Sequence, residues 1–478
     1  RRPQILIALS FFVSLIVYGC LSWWSHRAPL LTYDEVAYAA TARRLAATGG
    51  WASLYGSDDL FFFPPLFNYL AGGLIALGVE RLAAVRIIAV LAGAGVNALA
   101  VALALRHLNV RAALLTAILV LFIPVKAFYS TVGQVELPML FLVLAALYVV
   151  LSDGQGWRRP LFAALLLGAA VWTKETALGF FPLFALLYLR DRRALAYFSG
   201  LFGLLLLPLI VQSLLPSSYD LFYELTNPFI AVLGLDPDAV LMNLLRQFGV
   251  VPAMLGGFGA LFSIAFAVLI VASFAACSRT ELFGNRLLLF SAAALVLWIA
   301  FFLYFPKKFD YYLIPTALFL LFFIVRFLAD RPWLAGAVTA IVCVLSLWTL
   351  QGYRGMRDDV AALDMLLMQA MTERPGARIA MTMPRTGEYL VEREELPLRV
   401  VELGLFSCRE TARGCFKGAD YFIGYDDFLK LLFCDTWPLR DDRCDTATFV
   451  RVLRSIEPIG ESRRLRLYRL GPAADEFR

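Results

Sequence analysis

Apolar runs of near-bilayer length recur from residue 4 to residue 350, and they constrain the fold more than any other feature. The candidate spans are 4–24, 83–105, 111–130, 136–151, 160–173, 176–189, 194–214, 250–276, 287–305, 311–328 and 332–350. A helix needs roughly 20 apolar residues to cross the hydrocarbon core. Inside lipid every backbone polar group must bond within the protein, so runs of this kind form helices. The chain is 60% hydrophobic and 17% charged over 478 residues. A soluble globule has nowhere to bury that much apolar surface. The expected fold is a polytopic α-helical membrane protein of about 11 transmembrane helices, with a small C-terminal α/β domain. Residues 160–173 and 176–189 can also be read as one long interrupted span, with Thr173, Lys174 and Glu175 at the break.

Charge placement sets the topology. The net charge of +6 does not signal nucleic acid, because the basic residues sit in short loops between apolar runs. With the N-terminus inside, the inner loops carry Arg106 and Arg111, Arg158 and Arg159, Arg190 to Arg193, Arg279 and Arg286, and Arg326 and Arg331. Arginine-bearing loops of this kind are expected on the cytoplasmic side. Eleven spans then place the C-terminal domain outside. Reading 160–189 as a single span would reverse every later loop. The cysteines agree with the first count. Cys20, Cys277 and Cys343 belong to apolar runs, whereas Cys408, Cys415, Cys434 and Cys444 cluster in the polar C-terminal part. Four cysteines allow three pairings, of which Cys408–Cys415 and Cys434–Cys444 are nearest in sequence. Disulfides persist in oxidising compartments. The leading Arg1-Arg2 and apolar run have no small-residue cleavage motif before His26, so the reading is an uncleaved first span.

The expected domains are 1–353, a transmembrane domain with outer loops 25–82 and 215–249, and 354–478, an outer domain with disulfides. Residues 66–79 read as a helix lying in the interface. Residues 354–375 read as helical, and 377–381, 421–423, 448–452 and 465–468 as strands.

The chemistry-bearing residues collect in the outer segments. Asp34 and Glu35 follow Leu30-Leu31-Thr32-Tyr33 just beyond the first span. Thr32 or Asp34 can cap the following helix. The functional reading is a carboxylate acting as general base on an acceptor hydroxyl. Glu136 opens an apolar run and is either a site-lining acid or an interfacial residue touching water. Lys174 and Glu175 can neutralise each other, or Lys174 can bind a phosphate as a point charge. Lys126 and Arg86 offer the same choice between snorkelling and phosphate contact. Lys307 and Lys308 oppose the charge rule by lying outside, which makes sense if they hold a phosphate, and Tyr311 and Tyr312 suit an interfacial belt or a sugar contact. His26 and His107 fall on opposite sides, and usual metal-ligand spacing is absent, so no metal or other cofactor is expected.

The ordered set Asp34-Glu35-x-x-Tyr38-x-x-x-x-Arg43, Pro64-Pro65-Leu66 with Tyr69, and Arg86 resembles the first third of the GT-C membrane glycosyltransferases. Trp172-Thr173-Lys174 and Lys308-Phe309-Asp310-Tyr311-Tyr312-Leu313-Ile314-Pro315 resemble two later segments of that superfamily. The nearest members are bacterial polyprenyl-phosphate-sugar transferases, including lipid A aminoarabinose transferases and relatives of protein O-mannosyltransferases. The resemblance implies inverting transfer from a polyprenyl-phosphate-linked sugar to a glycan, lipid or protein acceptor, at the periplasmic face of a bacterial inner membrane. It implies Asp34 as the catalytic aspartate, Glu35 as its pocket-shaping neighbour and Glu136 as the cleft-lining acid. Arg86, Lys126, Lys174, Lys307, Lys308 and Tyr312 then become the donor contacts. Membrane lipids are the expected surroundings, and a monomer is the expected state. Two departures leave sugar and acceptor open. Phe63 stands where aminoarabinose-transferase-like members often carry a basic residue, and Val36-Ala37-Tyr38 replaces the continuation found in protein mannosyltransferases. The competing class is a membrane transporter or flippase for a lipid-linked sugar, which predicts polar residues near mid-span and discontinuous helices or repeats.

Overall fold

The computed structural model describes residues 2–27, 33–48, 65–152, 156–214, 268–304, 313–381, 390–391, 394–402, 419–425, 456–462 and 465–470. The chain divides into two units, residues 1–27 with 38–351 and residues 28–37 with 352–478.

The first unit is helical. Helix α1 is Arg2–Arg27, α2 Tyr33–Thr48, α3 Leu66–Ala76 and α4 Arg81–His107. Then come α5 Val110–Leu119, α6 Pro124–Tyr129, α7 Glu136–Leu151 and α8 Arg158–Thr173. After a 3-10 turn at Glu175–Phe180 follow α9 Phe181–Tyr188, α10 Arg192–Leu214, α11 Arg279–Gly284, α12 Arg286–Tyr304 and α13 Leu313–Leu328. Among the described residues, three helices are long and apolar enough to cross a membrane: Pro3–Trp23, Arg81–His107 and Arg192–Ile210.

Helix α4 is the centre of this unit. Ala84, Ala89, Ala94 and Ala100 on it are fully buried. Lipid tails are as apolar as leucine, so packing and close approach hold such helices together, and small residues permit both. A Cβ at Gly93 would stand 2.6 Å from the Ser130 hydroxyl oxygen, and one at Gly95 2.5 Å from the Phe141 ring. Only glycine admits the neighbouring segments at these two positions.

Among the described residues, which leave out 250–267 of the expected span 250–276, two of the expected spans differ from the structure. Residues 111–130 are not one helix. Helix α5 stops at Leu119, and the chain restarts as α6 with Pro124 in its first turn. Proline lacks a backbone donor and pushes its predecessor out of the helical region; Ile123 is extended, at φ −60° and ψ 115°. The second difference is at 332–350 and 354–375, which form one helix, α14, Pro332–Glu373. Gly352 and Gly355 lie inside it. A glycine weakens a helix interior by about 1 kcal/mol without having to break it.

The region 158–188 is a hairpin, not one interrupted span. Lys174 is extended (φ −156°, ψ 128°) and ends α8. The Trp172 indole donates to the Leu205 carbonyl at 2.8 Å. Phe181 stacks on Phe202, and Tyr188 packs on Phe198. Helix α9 therefore runs back along α10, and Tyr188 returns to the neighbourhood of Arg159. Three arginine-bearing turns also meet at one end of the unit. The Asn285 side chain donates to the His107 carbonyl at 2.6 Å, and Arg326 pairs with Glu281.

The second unit contains a five-stranded mixed sheet in the order β2-β1-β3-β5-β4. The strands are β1 Arg378–Met381, β2 Arg399–Glu402, β3 Tyr421–Tyr425, β4 Pro458–Ser462 and β5 Leu465–Arg469. β1 runs parallel to β2 and β3, whereas β5 runs antiparallel to β3 and β4. Strands β1, β3 and β5 match three expected runs. β2 and β4 are additions, and the expected strand 448–452 lies outside the described residues. Leu363, Leu366, Leu367 and Ala370 of α14 are buried, and the Gln369 amide donates to the Ile459 carbonyl at 2.9 Å, tying the helix to β4. Asp420 binds Arg374 at 2.6 Å and accepts from the Arg378 backbone at 2.9 Å, which fixes the start of β3 beside β1. The four C-terminal cysteines lie outside the described residues.

Candidate active site

Glu136 is the first residue of α7, and Lys174 follows the last residue of α8. Both helices have 16 residues, about 24 Å at the α-helical rise. They run antiparallel, joined near Val149 and Arg159, where the guanidinium donates to the Val149 carbonyl at 2.9 Å. Equal lengths then bring the two far ends together. The Lys174 ammonium donates to Glu136 Oε1 at 2.6 Å, with side-chain exposures of 3% and 2%.

A carboxylate without a partner would be strongly penalised there, because burial removes its hydration. The lysine supplies a countercharge, and the N-terminus of α7 adds a favourable dipole. Glu136 Oε2 makes no hydrogen bond with the described residues, and neither does the buried Thr176 hydroxyl. The sequence offers Lys174 its neighbour Glu175 or a phosphate; the structure adds Glu136, 38 positions away, as a partner.

The other predicted residues fall in different places. Lys126 is fully buried on α6, and its ammonium donates to the Tyr18 hydroxyl at 2.9 Å and the Gly93 carbonyl at 3.3 Å. Arg86 is 2% exposed within α4. Asp34 and Glu35 lie in the first turn of α2, in the smaller unit, and Glu35 is fully buried. Lys307, Lys308, Tyr312 and Phe63 lie outside the described residues. Among the described residues no cluster of three or more His, Cys, Asp or Glu side chains is placed to hold a metal.

Sequence reasoning missed the polar residues around Lys126. Asn97 donates to the Ser14 hydroxyl at 2.7 Å and the Tyr18 hydroxyl at 3.1 Å, and Tyr18 donates to the Leu121 carbonyl at 3.1 Å. The signal was present: Ser14 and Tyr18 lie four apart in the first apolar run, on one helix face.

Residues 63–215 match the family model of dolichyl-phosphate-mannose-protein mannosyltransferases. The matched segment holds Arg86, Lys126, Glu136 and Lys174. The fold is that of ArnT from Cupriavidus metallidurans bound to undecaprenyl phosphate, with TM-score 0.51, 14% identity and 97% of each chain covered. The same protein in its apo state gives TM-score 0.49 at 14% identity, covering 99% of each chain. The archaeal oligosaccharyltransferase AglB from Archaeoglobus fulgidus, in complex with an inhibitory peptide and a dolichol-phosphate, gives TM-score 0.48 at 11% identity over 88% of this chain and 69% of that one. No curated protein matched. By its fold and its matched segment, the chain resembles the GT-C superfamily of membrane glycosyltransferases.

Proposed function

We propose that this protein is an inverting glycosyltransferase that moves a sugar from a polyprenyl-phosphate donor to an acceptor hydroxyl at the periplasmic face of a bacterial inner membrane. The buried Glu136–Lys174 pair inside the matched segment carries the reading. Undecaprenyl phosphate in the ArnT relative and the dolichyl phosphate of the family description support the donor class.

In this mechanism Asp34 takes the acceptor hydroxyl proton as general base. The acceptor oxygen bonds to the anomeric carbon, and the bond from that carbon to the phosphate oxygen breaks. The polyprenyl phosphate departs with the electron pair. Its oxygen already has a low pKa, so no general acid is needed. Arg86, Lys307 and Lys308 stabilise the charge that develops on the phosphate, and Tyr312 lies against the donor. Glu35 shapes the pocket beside the base. Glu136 accepts from a substrate hydroxyl while its other oxygen stays on Lys174. A single displacement inverts the anomeric centre. The C-terminal unit admits the acceptor, which is a glycan, a lipid or a protein.

One observation favours the second reading, a flippase for a lipid-linked sugar. The apolar run 111–130 is broken at 120–123, and transporters build sites at broken helices. Incubating purified protein with defined polyprenyl-phosphate sugars and candidate acceptors separates the two. A glycosylated product detected by mass supports transfer. Movement of the lipid across vesicles without a product supports the flippase.

A further inference from the structure

Lys126 is a buried amine in unusual company. Its described hydrogen-bond partners, the Tyr18 hydroxyl and the Gly93 carbonyl, are both neutral, and its ammonium lies 4.6 Å from the Tyr18 ring centroid. The Tyr18 hydroxyl is shared further, accepting from Asn97 and donating to the Leu121 carbonyl. One buried knot therefore joins α1, α4 and the broken stretch between α5 and α7. The knot continues toward Glu136 in short local bonds. Ser130 donates to the Lys126 carbonyl at 2.8 Å, and Thr131 to the Phe128 carbonyl at 2.7 Å. The Gln134 amide donates to the Val132 carbonyl at 2.9 Å, two residues before Glu136. Gly93 has no Cβ to displace Ser130.

A stretch whose regular structure is the six-residue helix α6 needs such anchors, since it lacks a continuous helical bond ladder. The lysine places two donors on protein oxygens, and none of its side chain is exposed. We infer that Lys126 is a positioning residue: with Tyr18 it fixes residues 120–135, and so the place at which the Glu136 carboxylate stands, rather than contacting the donor phosphate. The inference rests on the proposed role of Glu136 in transfer. Misplacing a substrate-positioning group by about 1 Å can lower a rate on the order of a hundredfold.

The test uses the full chain purified in detergent, with Tyr18→Phe as the mild variant and Lys126→Met as the severe one. Three quantities are read: amide hydrogen exchange over residues 126–136, affinity for undecaprenyl phosphate, and kcat and KM for transfer from whichever defined donor wild type uses. Both variants should speed exchange in that stretch and lower kcat about tenfold to a hundredfold. Undecaprenyl phosphate affinity and donor KM should stay within about twofold, well under the tenfold that 1.4 kcal/mol represents. Unchanged exchange overturns the inference whatever the activity. So does a loss of undecaprenyl phosphate affinity in Lys126→Met alone, which would make the lysine a phosphate contact. A kcat loss no larger than the loss of folded protein also overturns it, by making the knot purely structural. If wild type transfers from no donor, the proposed function fails instead, and if Glu136→Gln transfers normally, the role given to Glu136 fails. Exchange and lipid affinity then still decide whether Lys126 fixes the stretch.

Discussion

At the scale of single residues, the Glu136–Lys174 pair is the clearest balance of opposing terms in the molecule. Each group alone would be an uncompensated charge in a buried site, and together they offset much of each other's desolvation. Replacing either one alone, by Glu136→Gln or Lys174→Met, should therefore cost about 3–5 kcal/mol in stability. The double variant should cost clearly less than the sum of the two. Urea titrations of the detergent-solubilised protein check this as a double-mutant cycle, and additive losses would mean the pair is not coupled. The functional consequence differs from the stability one. Glu136→Gln keeps the shape of the side chain, so any transfer that survives folding reports how much the charge itself contributes.

At the scale of elements, α4 organises the helical unit through glycines and alanines. Gly93→Ala should destabilise by about 1–3 kcal/mol, the usual range for overpacking. Its new Cβ would meet the Ser130 Cβ at 2.8 Å, an atom fixed to the backbone. Gly73→Ala on α3 should be neutral or stabilising by up to about 1 kcal/mol, since helix propensity favours alanine and nothing lies within 4 Å. Thermal melts of the two variants side by side test the contrast. Much at this scale was legible in the sequence. The apolar runs gave α1, α4, α7 and α8 within a few residues, because hydropathy reports local burial in lipid. The meeting of Glu136 with Lys174 was not legible, because it depends on how two runs pack and not on either run alone. The restart at Pro124 was signalled by the proline, yet the apolar run around it read as one span. Strands β2 and β4 were missed because Arg399–Glu402 has a charge at each end and Pro458–Ser462 holds a proline and a glycine, which weakens the strand pattern. The Lys126 knot depends on contacts between residues about 80 to 108 positions apart, which no local pattern fixes.

At the scale of the whole molecule, the account assigns donor chemistry to the membrane unit and acceptor access to the C-terminal unit. Removing residues 354–478 should reduce use of the acceptor more than binding of undecaprenyl phosphate, measured on the same preparation. Equal loss of both would argue against that division. The fold likeness to ArnT extends over 97% of the chain, whereas the family match stops at residue 215 and begins after Asp34. The base assignment therefore rests on Asp34 itself, in the first turn of α2. The most direct measurement is transfer from a defined polyprenyl-phosphate sugar by wild type and Asp34→Asn, compared at equal folded concentration. The account predicts an inverted product from wild type and a loss of about a hundredfold to ten-thousandfold in kcat for the variant. Undiminished transfer by a folded Asp34→Asn protein would contradict it.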